Sequence, residues 1–139
     1  MPPSFLTRTE LLLGRPALDQ LAASRVAVFG LGGVGGHAAE ALVRSGVGAL
    51  DLIDHDIIAE SNLNRQVIAL RSTLGQSKAE AMKARIHDIN PDCAVIAHDC
   101  FFDEQDIVPR RFGEFVEGFD AADVDVPAGE FLEDGFATV

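Results

Sequence analysis

No apolar run in this 139-residue chain approaches the roughly 20 residues that a membrane-spanning helix needs. Met1 to Leu13 also lacks the basic start and cleavage pattern of a secretory leader. The expectation is a cytoplasmic chain with no membrane partner. Cysteine is scarce. Cys93 and Cys100 form no CxxC pair, which leaves no visible zinc or thiol-redox motif. Flanking a predicted strand, they read as buried thiols. No internal repeat is apparent. Basic charge is missing from the last third of the chain. Residues 103–139 hold 11 acidic side chains against only Arg110 and Arg111, whereas residues 1–102 hold 11 acidic and 9 basic ones. The net charge of −11 thus sits almost wholly in the tail, a poor docking surface for phosphate backbones. If nucleic acid binds, the tail is not what attracts it.

What is present fits one soluble domain, with 47% hydrophobic and 24% charged residues. Met1 to Ser4 reads as a frayed start, and Pro16 to Ala23 as a short helix with proline at a tolerated first-turn position. From Arg25 the pattern alternates. Arg25 to Phe29 is a buried strand, Val34 to Ser45 a helix and Ala49 to Ile53 a second strand. Ser77 and Glu80 then form a capping box before a helix whose apolar positions are Ala79, Met82, Ile86 and Ile89. Asn90-Pro91 stops that helix, and Ala94 to Ala97 supplies a third strand. This order predicts an α/β, Rossmann-like parallel sheet with flanking helices, incomplete at its C-terminal end. Residues 1–125 are assigned to that domain, with a helical segment at 1–24. Residues 126–139 are read as an irregular acidic tail. Ile57 to Gln76 is a long connection with little periodicity, and loops of that length are functional or disordered.

Gly30-Leu31-Gly32-Gly33-Val34-Gly35 lies between the first strand and the first long helix. Glycines there let backbone approach a phosphate without Cβ interference, and the helix start favours an anion. Asp54, at the end of the second strand, suits a carboxylate that accepts hydrogen bonds from ribose hydroxyls. These two features do not choose between a nicotinamide or flavin dinucleotide and ATP. The next loop does choose. Arg65 and Lys78 add two cations to a site whose helix N–H groups already serve a pyrophosphate, which points to a triphosphate. Lys78 also opens a capped helix, where the dipole disfavours a cation unless an anion joins it. His37 and His55 read as hydrogen-bonded surface histidines, and Asp51 and Asp56 as strand-edge and loop polar residues.

The segments RVAVFGLGGVGG, LIDHD, SNLNRQ, GQSKAE and RIHDINP occur in order and at matching spacing between about Arg8 and Val95. In them the chain resembles the ubiquitin-activating-like adenylating enzymes, which include the ThiF and MoeB sulfur-carrier activators. RTELLLG, NRQVIAL and DINPDC look most like the tRNA threonylcarbamoyladenosine dehydratases within that family.

The resemblance implies an ATP-dependent adenylation of a substrate carboxylate, here the cyclising dehydration of threonylcarbamoyladenosine in tRNA. Gly30, Gly32, Gly33 and Gly35 would form the ATP loop, and Asp54 would hold the ribose. Asn62, Arg65 and Lys78 would line the phosphates, the two cations stabilising charge at the α-phosphorus. Arg8 would reach into the active site of a partner subunit, which implies a homodimer. Asp123 would hold Mg2+, although Val124 follows it where the family has Asn or Ser. Two alternatives remain: activation of the C-terminus of a ubiquitin-like sulfur carrier, and a non-catalytic nucleotide-binding fragment. Family members run well past residue 139, so the resemblance implies a fragment, a truncated or frame-disturbed product, or a reduced homologue.

Overall fold

A computed structural model describes residues 3–101. The readings made for Asp123 and for the tail at 126–139 lie outside those residues. A 3-10 turn at Ser4–Leu6 leads into helix α1 (Thr7–Leu13) and helix α2 (Arg15–Ala23). Strand β1 (Arg25–Phe29), helix α3 (Gly35–Ser45), strand β2 (Ala49–Ile53), helix α4 (Lys78–Ile89) and strand β3 (Ala94–His98) follow. The strands form one parallel sheet in the order β1-β2-β3. This is the α/β, Rossmann-like alternation that the sequence predicts, one βαβ unit feeding the next.

Register explains where the core lies. Arg25 pairs with Ala49 and Ala49 with Ala94, so Val26, Leu50 and Val95 share the opposite face. That second face carries Val28, Leu50, Leu52 and Val95, packed with Ala39 and Val43 of α3 and Ala79, Met82 and Ile86 of α4. The spacing of the last three is one stripe of a 3.6-residue period. Glu40 clasps the two helices: its oxygens accept from Arg44 Nε at 3.0 Å and Arg85 Nε at 2.6 Å. The Arg85 hydrogen bond leads in holding the Glu40 carboxyl below its ordinary value, against a smaller cost of burial. Ser77 caps α4 by accepting from the Glu80 amide at 3.4 Å, the N-cap half of the expected box.

Three details differ from the sequence reading. Asp51 is not a strand-edge residue. β2 is the middle strand, and Asp51 is 0% exposed. Its carboxylate accepts from Arg25 Nε at 2.7 Å and Nη2 at 3.1 Å, with His98 Nε2 at 3.0 Å. One buried acid therefore joins side chains from all three strands. Second, the N-terminal stretch is ordered from the turn at Ser4, because Leu6 is buried and a Cβ on Gly46 would meet its methyl at 2.7 Å. It continues into α1, which buries no residue and exposes Leu11, Leu12 and Leu13. Third, Cys93 is buried, its thiol pushed up by burial, while Cys100 is only half-buried. No helix among the described residues is long and apolar enough to cross a membrane.

Burial raises the Asp51 carboxyl, but the Arg25 and His98 hydrogen bonds and charges together outweigh it, so its net shift is downward. The unfolded chain therefore takes up a proton first as pH falls. The stabilisation is complete above the ordinary aspartate pKa of about 3.9 and fades as pH drops through the lower native value. Asp51→Ala should cost about 2 to 4 kcal/mol at pH 7, below the upper range for a broken buried pair because Arg25 is partly exposed. Urea unfolding at pH 7 and at pH 3 reads this directly. The gap between variant and native chain should narrow at the lower pH, and equal stability at pH 7 would contradict the assignment.

Candidate functional site

The site begins where β1 ends. Gly30 has φ +79°, a left-handed conformation that suits glycine, and its amide donates to Ile53 O at 2.8 Å. The next amide, Leu31 N, donates to Asp54 Oδ2 at 2.7 Å. The chain then turns through Gly32 and Gly33 into α3. A Cβ on Gly35 would lie 1.7 Å from Gly30 O, so α3 starts in direct contact with the strand end. Only glycine permits that approach, which aims the first turn of α3 at whatever occupies the turn. Val34 is exposed there.

Asp54 is buried, and both oxygens are engaged: Oδ2 by Leu31 N, and Oδ1 by the Asp56 amide at 2.8 Å. Its visible work is to tie the glycine turn to the loop after β2. Asp56 in turn accepts from Lys78 Nζ at 3.2 Å, and its backbone oxygen accepts from the Lys78 amide at 3.0 Å. The Lys78 side chain is 7% exposed. A run of hydrogen bonds thus leads from the turn, through Asp54 and Asp56, to Lys78.

The connection 57–76 is ordered, and its ends are pinned together. Ile57 bridges Ser77, Ile58 N donates to Gln76 O at 2.9 Å, and Gly75 N donates to Ile58 O at 2.8 Å. Ile58, Gln66, Ile68 and Ala69 are buried in it. A 3-10 turn at Glu60–Asn62 is closed by Asn62 Oδ1, which accepts from Ala59 N at 2.9 Å. Arg65 N and Gln66 N both donate to Asn62 O. The turn so built presents Arg65, whose Cγ would lie 3.7 Å from a Cβ on Gly33. Its guanidinium donates to Ser61 O and Asn64 Oδ1, neutral acceptors, and has no carboxylate partner among the described residues. Among the described residues Arg65 is therefore a cation without a carboxylate against the glycine turn. Gln66 Oε1 is buried with no partner among the described residues.

Of the residues named from the sequence, the glycines, Asp54, Arg65 and Lys78 are brought together, with Asn62 shaping the loop that carries Arg65. Arg8 lies apart. It is exposed on α1, which packs on α2, and no hydrogen bond or ion pair joins it to the turn. His37 is exposed, as read. Two features were missed. His55 stacks edge-on against Phe101, with centroids 4.9 Å apart at 74°, just beyond the carboxyl ends of β2 and β3. Asp56 is a partner of Lys78 rather than a loop acid alone. The signal for both was position, since the carboxyl edge of a parallel sheet is where ligands bind.

Asp54, His55 and Asp56 could be brought to one metal ion, their ligand atoms lying within 4.8 Å of one another. They do not fit magnesium as arranged. The Asp54 oxygens are held by backbone amides, and those of Asp56 face Lys78 Nζ and, at 3.3 Å, His55 Nε2.

A family model described as the ThiF family matches residues 6–125. The chain is 54% identical over 99 residues to the tRNA threonylcarbamoyladenosine dehydratase of Bacillus subtilis (strain 168), covering 71% of this chain and 39% of that protein. A crystal structure of E. coli tRNA N6-threonylcarbamoyladenosine dehydratase, TcdA, in complex with ATP aligns at a TM-score of 0.70. There the identity is 46%, over 73% of this chain and 42% of that one. A more distant relative is the molybdopterin-synthase adenylyltransferase of Escherichia coli (strain K12), 37% identical over 89 residues, covering 64% and 36% of the two chains. The chain spans about two fifths of the length of these relatives.

The glycines divide sharply in what they tolerate. Gly35→Ala should lower thermal stability, because backbone faces the new methyl. Gly33→Ala meets only the flexible Arg65 stem at ordinary contact distance and should fold with a melting temperature within a few degrees of the native chain. Thermal melts of the two variants check this, and equal behaviour would contradict it.

Proposed function

The chain belongs to the ThiF family, and from that premise we propose that it binds ATP and serves the adenylation of a substrate carboxylate. The observation that carries the proposal is the grouping of Arg65 and Lys78 with the glycine turn: one cation packed on Gly33, the other linked to Leu31 through Asp54 and Asp56. The ATP-bound structure of the E. coli relative supports the same ligand.

Bound ATP supplies an α-phosphorus that a carboxylate oxygen attacks, with pyrophosphate leaving. The chain's part is positioning and charge stabilisation. In this reading Gly30, Gly32, Gly33 and Gly35 form the backbone cradle for the phosphates, and Asp54, which also accepts from the Leu31 and Asp56 amides, holds the ribose. Asn62 holds the turn that aims Arg65. Arg65 and Lys78 take up negative charge on the triphosphate and the leaving pyrophosphate. His55 and Phe101 offer an aromatic wall at the next strand end, suited to a base. Magnesium is assigned to Asp123, outside the described residues, so no step is drawn through it.

The carboxylate is that of threonylcarbamoyladenosine in tRNA, a reading supported by the names of the relatives in B. subtilis and E. coli. A ubiquitin-like sulfur carrier is the competing substrate, favoured by the molybdopterin-synthase adenylyltransferase among the relatives. A second copy of the chain is the proposed partner for α1, whose Arg8 and three leucines face outward.

Titration calorimetry of the 139-residue chain with ATP and with NAD tests the proposal. ATP should bind and NAD should not. Lys78→Ala should weaken ATP by about 30-fold or more, the usual cost of removing one side of a buried charge contact, and Arg65→Ala by a smaller factor because Arg65 is exposed. Preference for NAD, or native affinity in both variants, would overturn the reading.

A further inference from the structure

We propose that Asp56 is a positioning residue whose carboxylate occupies Lys78 in the nucleotide-free chain and gives way to the polyphosphate. This rests on the reading that Lys78 faces the phosphates. An ammonium as buried as that of Lys78 needs an anionic neighbour, and among the described residues that is Asp56 Oδ2 at 3.2 Å. The Asp56 backbone is fixed at both ends, its N–H on Asp54 Oδ1 and its C=O under the Lys78 amide. Its side chain, by contrast, is 53% exposed. Only a rotation about that side chain is needed to release the ammonium to another anion, with the other carboxylate oxygen already beside His55 Nε2.

The two cations of the site are therefore unlike. Among the described residues Arg65 donates to neutral oxygens, which leaves its charge for a phosphate. Lys78 is already paired and must change partners, from a carboxylate to a phosphate oxygen. Asp56 holds the lysine ammonium at its own carboxylate, and it sets a threshold: a ligand has to bring enough negative charge to displace it. Asp56→Asn keeps a neutral oxygen for Lys78 and removes the competing charge.

Calorimetry of the 139-residue chain at low salt, with ATP and with inorganic tripolyphosphate, tests this in four proteins: native, Asp56→Asn, Lys78→Met and the double variant. Asp56→Asn should bind both ligands roughly three- to tenfold tighter, the size expected for one half-exposed charge. The gain should at least halve in the Lys78→Met background, since the carboxylate then has no ammonium to compete for. An unchanged or weakened affinity, or the same gain in both backgrounds, overturns the proposal by reducing Asp56 to a bulk charge. Should Asp56→Asn fail to fold, lysine-ammonium NMR of the native chain decides: the Lys78 resonance should move on saturation with ATP, and an unmoved resonance overturns the exchange. If the native chain binds neither ligand, it is the proposed function that fails.

Discussion

The hydrogen bond from the Leu31 amide to the Asp54 carboxylate at 2.7 Å, beside that from Gly30 N to Ile53 O, fixes how the ends of β1 and β2 meet. The glycine turn and the loop toward Lys78 are joined through it. It is charge-assisted and buried, hence stronger and shorter than a neutral pair. It holds the glycine turn against the second strand, while the other Asp54 oxygen orders the loop that leads to Asp56 and Lys78. The contact of Gly35 with Gly30 closes the turn from the opposite side. One carboxylate thus joins the backbone of the turn to the loop that leads to a distant lysine, while the Gly35–Gly30 contact places the helix.

That constraint produces an unusual charge arrangement for a chain of net charge −11. Among the described residues, Arg65 has no acid beside it and Lys78 shares one half-exposed acid, so that part of the glycine turn's surroundings is cationic although the molecule is not. A small, strongly charged anion fits such a setting better than a nucleic-acid backbone, which would need a broad basic surface. The acid at the sheet's middle, Asp51, serves a separate purpose. It joins the three strands, through Arg25 at the start of β1 and His98 at the end of β3.

The strands were legible because they are short apolar runs bounded by glycine and polar residues, and α4 because its apolar stripe and Ser77 cap are explicit. The glycine turn, Asp54, Arg65 and Lys78 were legible through spacing and charge. Three things were not. α1 carries three consecutive leucines that bury nothing in this chain, so no periodic stripe marks it. Asp51 reads as an edge residue because an acid inside a central strand contradicts strand patterning, and its partners stand 26 and 47 positions away. The order of the 57–76 connection comes from Ile58, Gln76 and Gly75 pairing across it, long-range backbone bonds that leave no local signature.

The most direct test of the central claim is an amide NMR titration of the 139-residue chain with ATP. If the turn, Arg65 and Lys78 enclose a polyphosphate, the perturbed amides will cluster at Leu31 to Gly35, at Asp54 and Asp56, and at Arg65 and Lys78. Saturable binding whose perturbations leave those residues untouched would contradict the account.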